Sequence, residues 1–170
     1  MGSAEPDVVY MSEPAPRVFL SDGLLERTRE LLAGPGADGY EAVVVWVGRR
    51  EPEQPIEALV AVRPGQIAYR GTDGCAVEVP PDALTALIAT LPPDLSIVAR
   101  VHTHPTEAYH SAVDDTNMLI SHEGALSIVV PNFARAARLE LRHCSVNELD
   151  HDLGWVELTS REVAERFVSP

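Results

Sequence analysis

Cysteine and positive charge are both scarce in this chain. The two cysteines, Cys75 and Cys144, do not form a Cys-x-x-Cys pair, so neither a disulfide framework nor a cysteine-ligated zinc site is expected. Free thiols of this kind suit a reducing, cytoplasmic setting. Basic residues number 13 against 26 acidic ones, for a formal net charge of -13. Such a surface repels phosphates and anionic headgroups, so neither nucleic acid nor a membrane surface is expected as a partner. The nearest approach to a basic patch is Arg135, Arg138 and Arg142, and Glu140 interrupts it. No run of 18 apolar residues occurs, which argues against a transmembrane helix, and the N-terminus lacks the basic-then-apolar order of a signal peptide. No internal repeat is present.

The 170 residues suit one domain, and with 45 % of them hydrophobic a packed core is expected. Residues 1–16, rich in proline and acidic side chains, read as a loose N-terminal tail, with Val8 to Met11 able to add a short edge strand. The domain is expected over residues 17–168. Within it Val18 to Leu20 reads as a strand, and Ser21 as the cap of a helix that stops before Gly34-Pro35-Gly36. Tyr40 to Gly48, β-branched and nearly all apolar, reads as a central strand buried on both faces. Ile56 to Val62 and Gln66 to Arg70 read as strands turned by Pro64-Gly65, followed by a short strand from Cys75 to Val79. Pro81 opens a helix whose apolar face is Leu84, Leu87, Ile88 and Leu91. Ser96 to His102 is the next strand. Ser111 can cap a helix to about Glu123, and Ala125 to Val130 is a further strand. The alternation of Ala137 to His143 predicts one more, and Val146 to Leu149 can pair with Trp155 to Leu158. Thr159 to Glu162 forms a capping box for a last helix holding Val163 and Phe167. This order points to an α/β fold, a mixed sheet with flanking helices, rather than a regular βαβ repeat.

The chemistry concentrates in Val101-His102-Thr103-His104-Pro105 and the segment after it. Two histidines two residues apart on a strand point to one side. Pro105 ends that strand, so the imidazoles sit where sites tend to open. With a nearby carboxylate they would make the ligand set of a catalytic zinc, which keeps a fourth position for water. Ser111-x-x-Asp114 is also a capping-box signature, and the two uses are compatible. Asp115 is an equal candidate for the carboxylate by spacing alone. His110 either lines a substrate channel or faces solvent. His122, His143 and His151 have no ligand partners at useful spacing, and both cysteines read as structural.

Glu41 begins an apolar strand that ends at Gly48, and it precedes His102-Thr103-His104-Pro105 and Ser111-Ala112-Val113-Asp114. In this order the elements resemble the JAMM (MPN-plus) metalloproteases, a family that includes deubiquitinating enzymes. The resemblance covers roughly residues 17–145. It departs from the family pattern in two places: five residues rather than the usual seven separate Pro105 from Ser111, and Val44 stands where a glycine is usual. The resemblance implies a curved sheet of the MPN, cytidine-deaminase-like fold. It implies that His102, His104 and Asp114 hold one Zn2+ and that Glu41 is the general base. Ser111 would donate a hydrogen bond to the tetrahedral oxyanion, worth about 3 kcal/mol. The implied activity is a zinc isopeptidase or peptidase acting at the C-terminal tail of a ubiquitin-like protein, including bacterial systems linked to phage defence. Trimming of a sulfur-carrier protein uses the same chemistry. Metal-free relatives of this fold serve instead as scaffolds. A homodimer or an operon-encoded partner is also compatible with the resemblance.

Overall fold

The computed structural model describes residues 15–72, 74–112, 114 and 119–169. The proposed strand at Val8 to Met11 and most of the N-terminal tail lie outside them, as does Asp115. Strands β1 (Val18–Leu20), β2 (Val43–Arg49), β3 (Ile56–Val62), β6 (Ser96–Thr103), β7 (Leu126–Val130), β8 (Ser145–Asp150), β9 (Gly154–Glu157) and β10 (Phe167–Val168) form one mixed sheet, ordered β10-β1-β3-β2-β6-β7-β8-β9. Strands β4 (Ile67–Gly71) and β5 (Gly74–Glu78) make a separate antiparallel ribbon. Helices α1 (Leu24–Ala37), α2 (Pro81–Thr90) and α3 (Ser160–Arg166) complete a mixed α/β fold.

The middle of the sheet is β2, β6 and β7, whose residues are almost all buried, as their apolar runs require. Alternation along β2 divides the core. Val44 and Trp46 pack with Leu24 and Leu32 of α1 and Val163 of α3. Val45 and Val47 point the other way, to Ile97, Ile120, Ala125 and the half-buried leucines of α2. Trp46 is fully buried, and its indole N–H donates to Thr28 Oγ1 at 2.8 Å. At Gly48 the register of β2 on β3 shifts, and a Cβ there would lie 1.7 Å from the Glu57 carbonyl oxygen. The glycine that ends this strand is therefore a requirement of close strand approach.

Several elements differ from their sequence-based expectation. Helix α1 runs through Gly34-Pro35-Gly36, because a proline in the last turn forfeits a single N–H bond. Gly36 lets that turn lie on the 132–134 loop, where a Cβ would come within 2.4 Å of the Phe133 carbonyl oxygen. Ser21 does not cap α1. Its hydroxyl donates to the Leu59 carbonyl at 2.6 Å, and Gly23, at φ 73°, takes the cap position. Strands β3 and β4 do not pair. The Gln66 amide bonds both the N–H and the C=O of Val43, pinning the chain at the head of β2 and turning it out of the sheet.

Residues 137–143 form no strand and end in a 3-10 turn, Leu141–His143. Their alternation reports burial of Leu139 and Leu141 without a ladder partner. Residues 119–123 are turn and irregular backbone, so the helix opening at Ser111 does not reach Glu123. Ile88 is 53 % exposed and leaves the apolar face of α2 to its leucines. The capping box at Thr159 and Glu162 forms as expected, but α3 ends at Arg166. Phe167 instead begins β10, which pairs parallel with β1.

Candidate metal centre

Antiparallel pairing of β2 with β6 closes the long sequence gap between the candidate residues. Val43 lies opposite His102, so continuing the register sets Glu41 opposite His104. That continuation is bonded: Thr103 N–H donates to the Ala42 carbonyl at 3.1 Å, and Ala42 N–H donates to Thr103 Oγ1 at 3.0 Å. His104, one residue past β6, is held at both its N–H and its carbonyl by the end of β7 and the turn after it. Its N–H donates to Val130 O, and its carbonyl accepts from Phe133 N–H. Because β7 runs parallel to β6, both strands end at this edge of the sheet, and residues 104–125 join them.

That segment supplies the third group. The donor atoms of His102, His104 and Asp114, all three residues buried, lie within 4.8 Å of one another. Asp114 Oδ1 is 2.9 Å from His102 Nε2, and Oδ2 is 3.6 Å from His104 Nε2. Ser111 and Asp114 also form the reciprocal turn their spacing predicts. Ser111 Oγ and N–H both donate to Asp114 Oδ2, at 2.7 and 2.8 Å, and Asp114 N–H reaches back to Ser111 Oγ at 3.3 Å. The Ser111 hydroxyl is thus engaged with the carboxylate.

The electrostatics suit a cation. Burial pushes the His102 imidazole down, against the pull of Asp114, so the ring stays neutral. Its buried Nε2 has no partner in hydrogen-bond geometry despite the nearby carboxylate. Burial alone would raise the Asp114 carboxyl, but His102, His104 and the Ser111 hydroxyl outweigh it and hold the group well below the usual carboxylate range. A buried imidazole whose Nε2 is unsatisfied, a second imidazole beside it and an ionised carboxylate are a donor set that a divalent metal can take. The residues therefore fit a metal. Glu41, 8 % exposed, is not one of the three donors. Burial pushes its carboxyl up to about 7, with His104 drawing it down and Asp114 pushing it up.

His110 sits half-buried between the Trp155 ring, 5.2 Å away, and Arg100 Nη2, 3.0 Å from its Nε2, rather than in open solvent. Cys144 is half-buried with its thiol pushed up to about 12, and neither cysteine is near a nucleophile's partner set. No sequence motif singles out Thr103, which locks β6 to the residue after Glu41, or Tyr109, whose ring meets His104 edge-on at 4.7 Å. Nor does any single out Arg100. An arginine inside an apolar strand, two residues before His102, was the available signal.

No protein-family model matches the chain. A protein of Sinorhizobium fredii (strain NBRC 101917 / NGR234) named probable metalloprotease y4jG is 35 % identical over 130 residues, covering 76 % of this chain and 79 % of the relative. Among solved structures, protein DSY2949 from Desulfitobacterium hafniense aligns with a TM-score of 0.53 at 16 % identity, over 90 % of this chain and 92 % of that one. A protein from Salinibacter ruber (strain DSM 13855) aligns with a TM-score of 0.54 at 15 % identity, over 89 % and 90 %. At such identities the two structures speak for the fold alone. Among the described residues no helix is long and apolar enough to cross a membrane.

Proposed function

The chain belongs to the metalloprotease family of the rhizobial protein y4jG, and from that premise we propose that it is a zinc-dependent isopeptidase or peptidase of the JAMM (MPN-plus) type, cleaving at the C-terminal tail of a ubiquitin-like protein. The observation that carries the reading is the convergence of His102 and His104 with Asp114, with Glu41 brought to the same end of the sheet by the β2–β6 register.

His102, His104 and Asp114 would hold a zinc ion, which would supply a Lewis acid able to lower the pKa of a water towards ~7. Glu41 would be the base that accepts a proton from the attacking water and delivers it to the departing amine; in the metal-free protein burial already pushes its carboxyl up to about 7. Ser111, once its hydroxyl turns from Asp114 Oδ2, would donate a hydrogen bond to the oxygen that gains charge at the scissile carbonyl. Thr103 and the Ala42 backbone keep Glu41 in register with the histidines. The substrate reading draws support from an open cleft of about 700 Å³ that has Glu41 in its wall, with Tyr40, Arg63 and Gln66, and lies beside rather than over the three metal donors. A flexible, extended tail would fit such a cleft, whereas a folded domain would not enter it.

The test is made on the purified protein. One zinc per chain is expected by elemental analysis, together with cleavage of a ubiquitin-like protein extended or conjugated at its C-terminus, followed by mass spectrometry. A parallel arm offers a sulfur-carrier protein with an extra C-terminal residue. Absence of bound zinc, together with a melting temperature indifferent to added zinc, rejects the metallopeptidase reading in favour of a scaffold. Zinc binding with neither substrate cleaved rejects the substrate class and leaves the metal centre standing.

A further inference from the structure

Arg100 lies in the middle of β6 among valines and alanines, and it is 1 % exposed. A guanidinium so deeply buried is tolerated only when its N–H groups and its charge are taken up nearby. Its Nε donates to Ser127 Oγ on β7 at 3.0 Å. Its Nη2 donates to the main-chain carbonyl of Asp114 at 2.8 Å, lies 3.0 Å from His110 Nε2, and stands 3.9 Å from Asp114 Oδ1. Its carbon is 5.4 Å from the centroid of Trp155 on β9, the same ring that packs against His110. One side chain thus ties β6, β7 and β9 to the segment that joins β6 to β7, at residues 110 and 114.

The two metal-facing elements need such a tie. His102 and His104 take their positions from the sheet. Asp114 takes its local geometry from the Ser111 turn, which fixes Asp114 relative to Ser111 but not relative to the strand. Arg100 faces the same side of β6 as His102 and reaches the Asp114 backbone, so it connects the turn to the histidines. We propose that Arg100 is a positioning residue of the metal centre: by holding the Asp114 carbonyl and His110 it sets the carboxylate at ligating distance from the histidine pair. This rests on the reading of Asp114 as a metal ligand. Lysine cannot replace it, because one ammonium lacks the planar fork that serves Ser127 and Asp114 together.

The experiment measures zinc affinity by competition with a chromophoric chelator for the wild-type chain, Arg100→Met, Arg100→Lys, Asp114→Ala and the Arg100→Met/Asp114→Ala double variant. Arg100→Met is expected to weaken zinc binding roughly 10–100-fold, the range for a lost ligand-orienting partner, and Arg100→Lys to recover little of it. In the Asp114→Ala background the same substitution should change affinity less than about threefold, because the arginine acts through that residue. The visible bands of the cobalt(II)-loaded protein should shift in Arg100→Met, a change that a merely looser fold would not produce. Unchanged zinc affinity in Arg100→Met overturns the proposal. So does an equal loss with and without Asp114, which would mark a purely structural arginine. Should Arg100→Met not fold, Ser127→Ala keeps the guanidinium and removes one anchor. It should weaken zinc about threefold or more, and an unchanged affinity there overturns the proposal as well. A wild-type chain that binds no zinc overturns the metal reading itself and this role with it.

Discussion

His102 and His104 are suspended from a ladder of backbone hydrogen bonds, with β2 on one side and β7 on the other. Asp114 and Ser111 are suspended from side chains: from each other, and from Arg100. The strand-borne half shares its burial and its rigidity with the core. The segment carrying the other half lies between two parallel strands, and residues 104–111 and 119–125 of it have no strand of their own. One half of the centre therefore rests on the ladder of the sheet, and among the described residues the other rests on the polar contacts of Ser111 and Asp114 and on the burial of Leu119 and Ile120 further along the segment. Local opening draws on contacts of that second kind, so the two halves should respond differently to perturbation.

The largest effect should come from removing a ligand. His102→Ala and Asp114→Ala are both expected to weaken zinc binding severely, to an affinity still readable by chelator competition, and to lose all measurable turnover. Only Asp114→Ala should also speed limited proteolysis within residues 105–123 of the metal-free protein. Equal proteolysis rates in the two variants would erase the distinction between the halves. Next in size, Glu41→Gln should keep the metal, by elemental analysis, while kcat falls about 10²–10⁴-fold. Full turnover in that variant removes Glu41 as the base. Ser111→Ala should lower kcat about 10²-fold through loss of the oxyanion donor. It also frees Asp114 from one bond, so zinc affinity should weaken too, by less than about 10-fold. A change in affinity without a change in kcat would assign Ser111 to the turn alone.

The smallest effect is on stability and concerns the strand-borne half. Glu41 holds its proton more tightly folded, to about 7, than at its ordinary 4.5. Between those values the folded state binds more protons than the unfolded one, so the stability of the metal-free protein falls as pH rises through that window. Glu41→Gln lacks the group. The melting-temperature advantage of this variant should therefore be larger at pH 8 than at pH 5, by about 2 °C or more. A difference that does not change with pH would mean that Glu41 is solvated in the free protein.

What was legible from residues alone follows the same division. The central strands, the β8–β9 hairpin and the α3 capping box declare themselves by local periodicity or by cap chemistry, and the structure has them. The histidine pair and its orientation follow from a period of two. Partners distant in sequence were not legible. Nothing local says that Gln66 will occupy the Val43 backbone and divert β4 into its own ribbon, or that Phe167 will leave its helix to pair with β1. The alternation of residues 137–143 showed which side chains are buried, but it could not show that no strand lies beside them. Arg100 was invisible for a related reason: its worth lies in partners drawn from β7, β9 and the crossing segment.

Both cysteines are free thiols, so the described chain has no covalent brace. A metal held by His102, His104 and Asp114 would serve as one, stapling the 104–114 loop to the end of β6. It would do so by binding the folded site in preference to the unfolded chain, which stabilises the closed loop by mass action. Unlike a disulfide, this staple would open and close with the supply of an ion rather than with the redox state of the compartment. The lifetime of the protein against proteases would then follow the availability of that metal. Starvation would be registered first as a nick in the crossing segment, while the sheet beneath it remained intact.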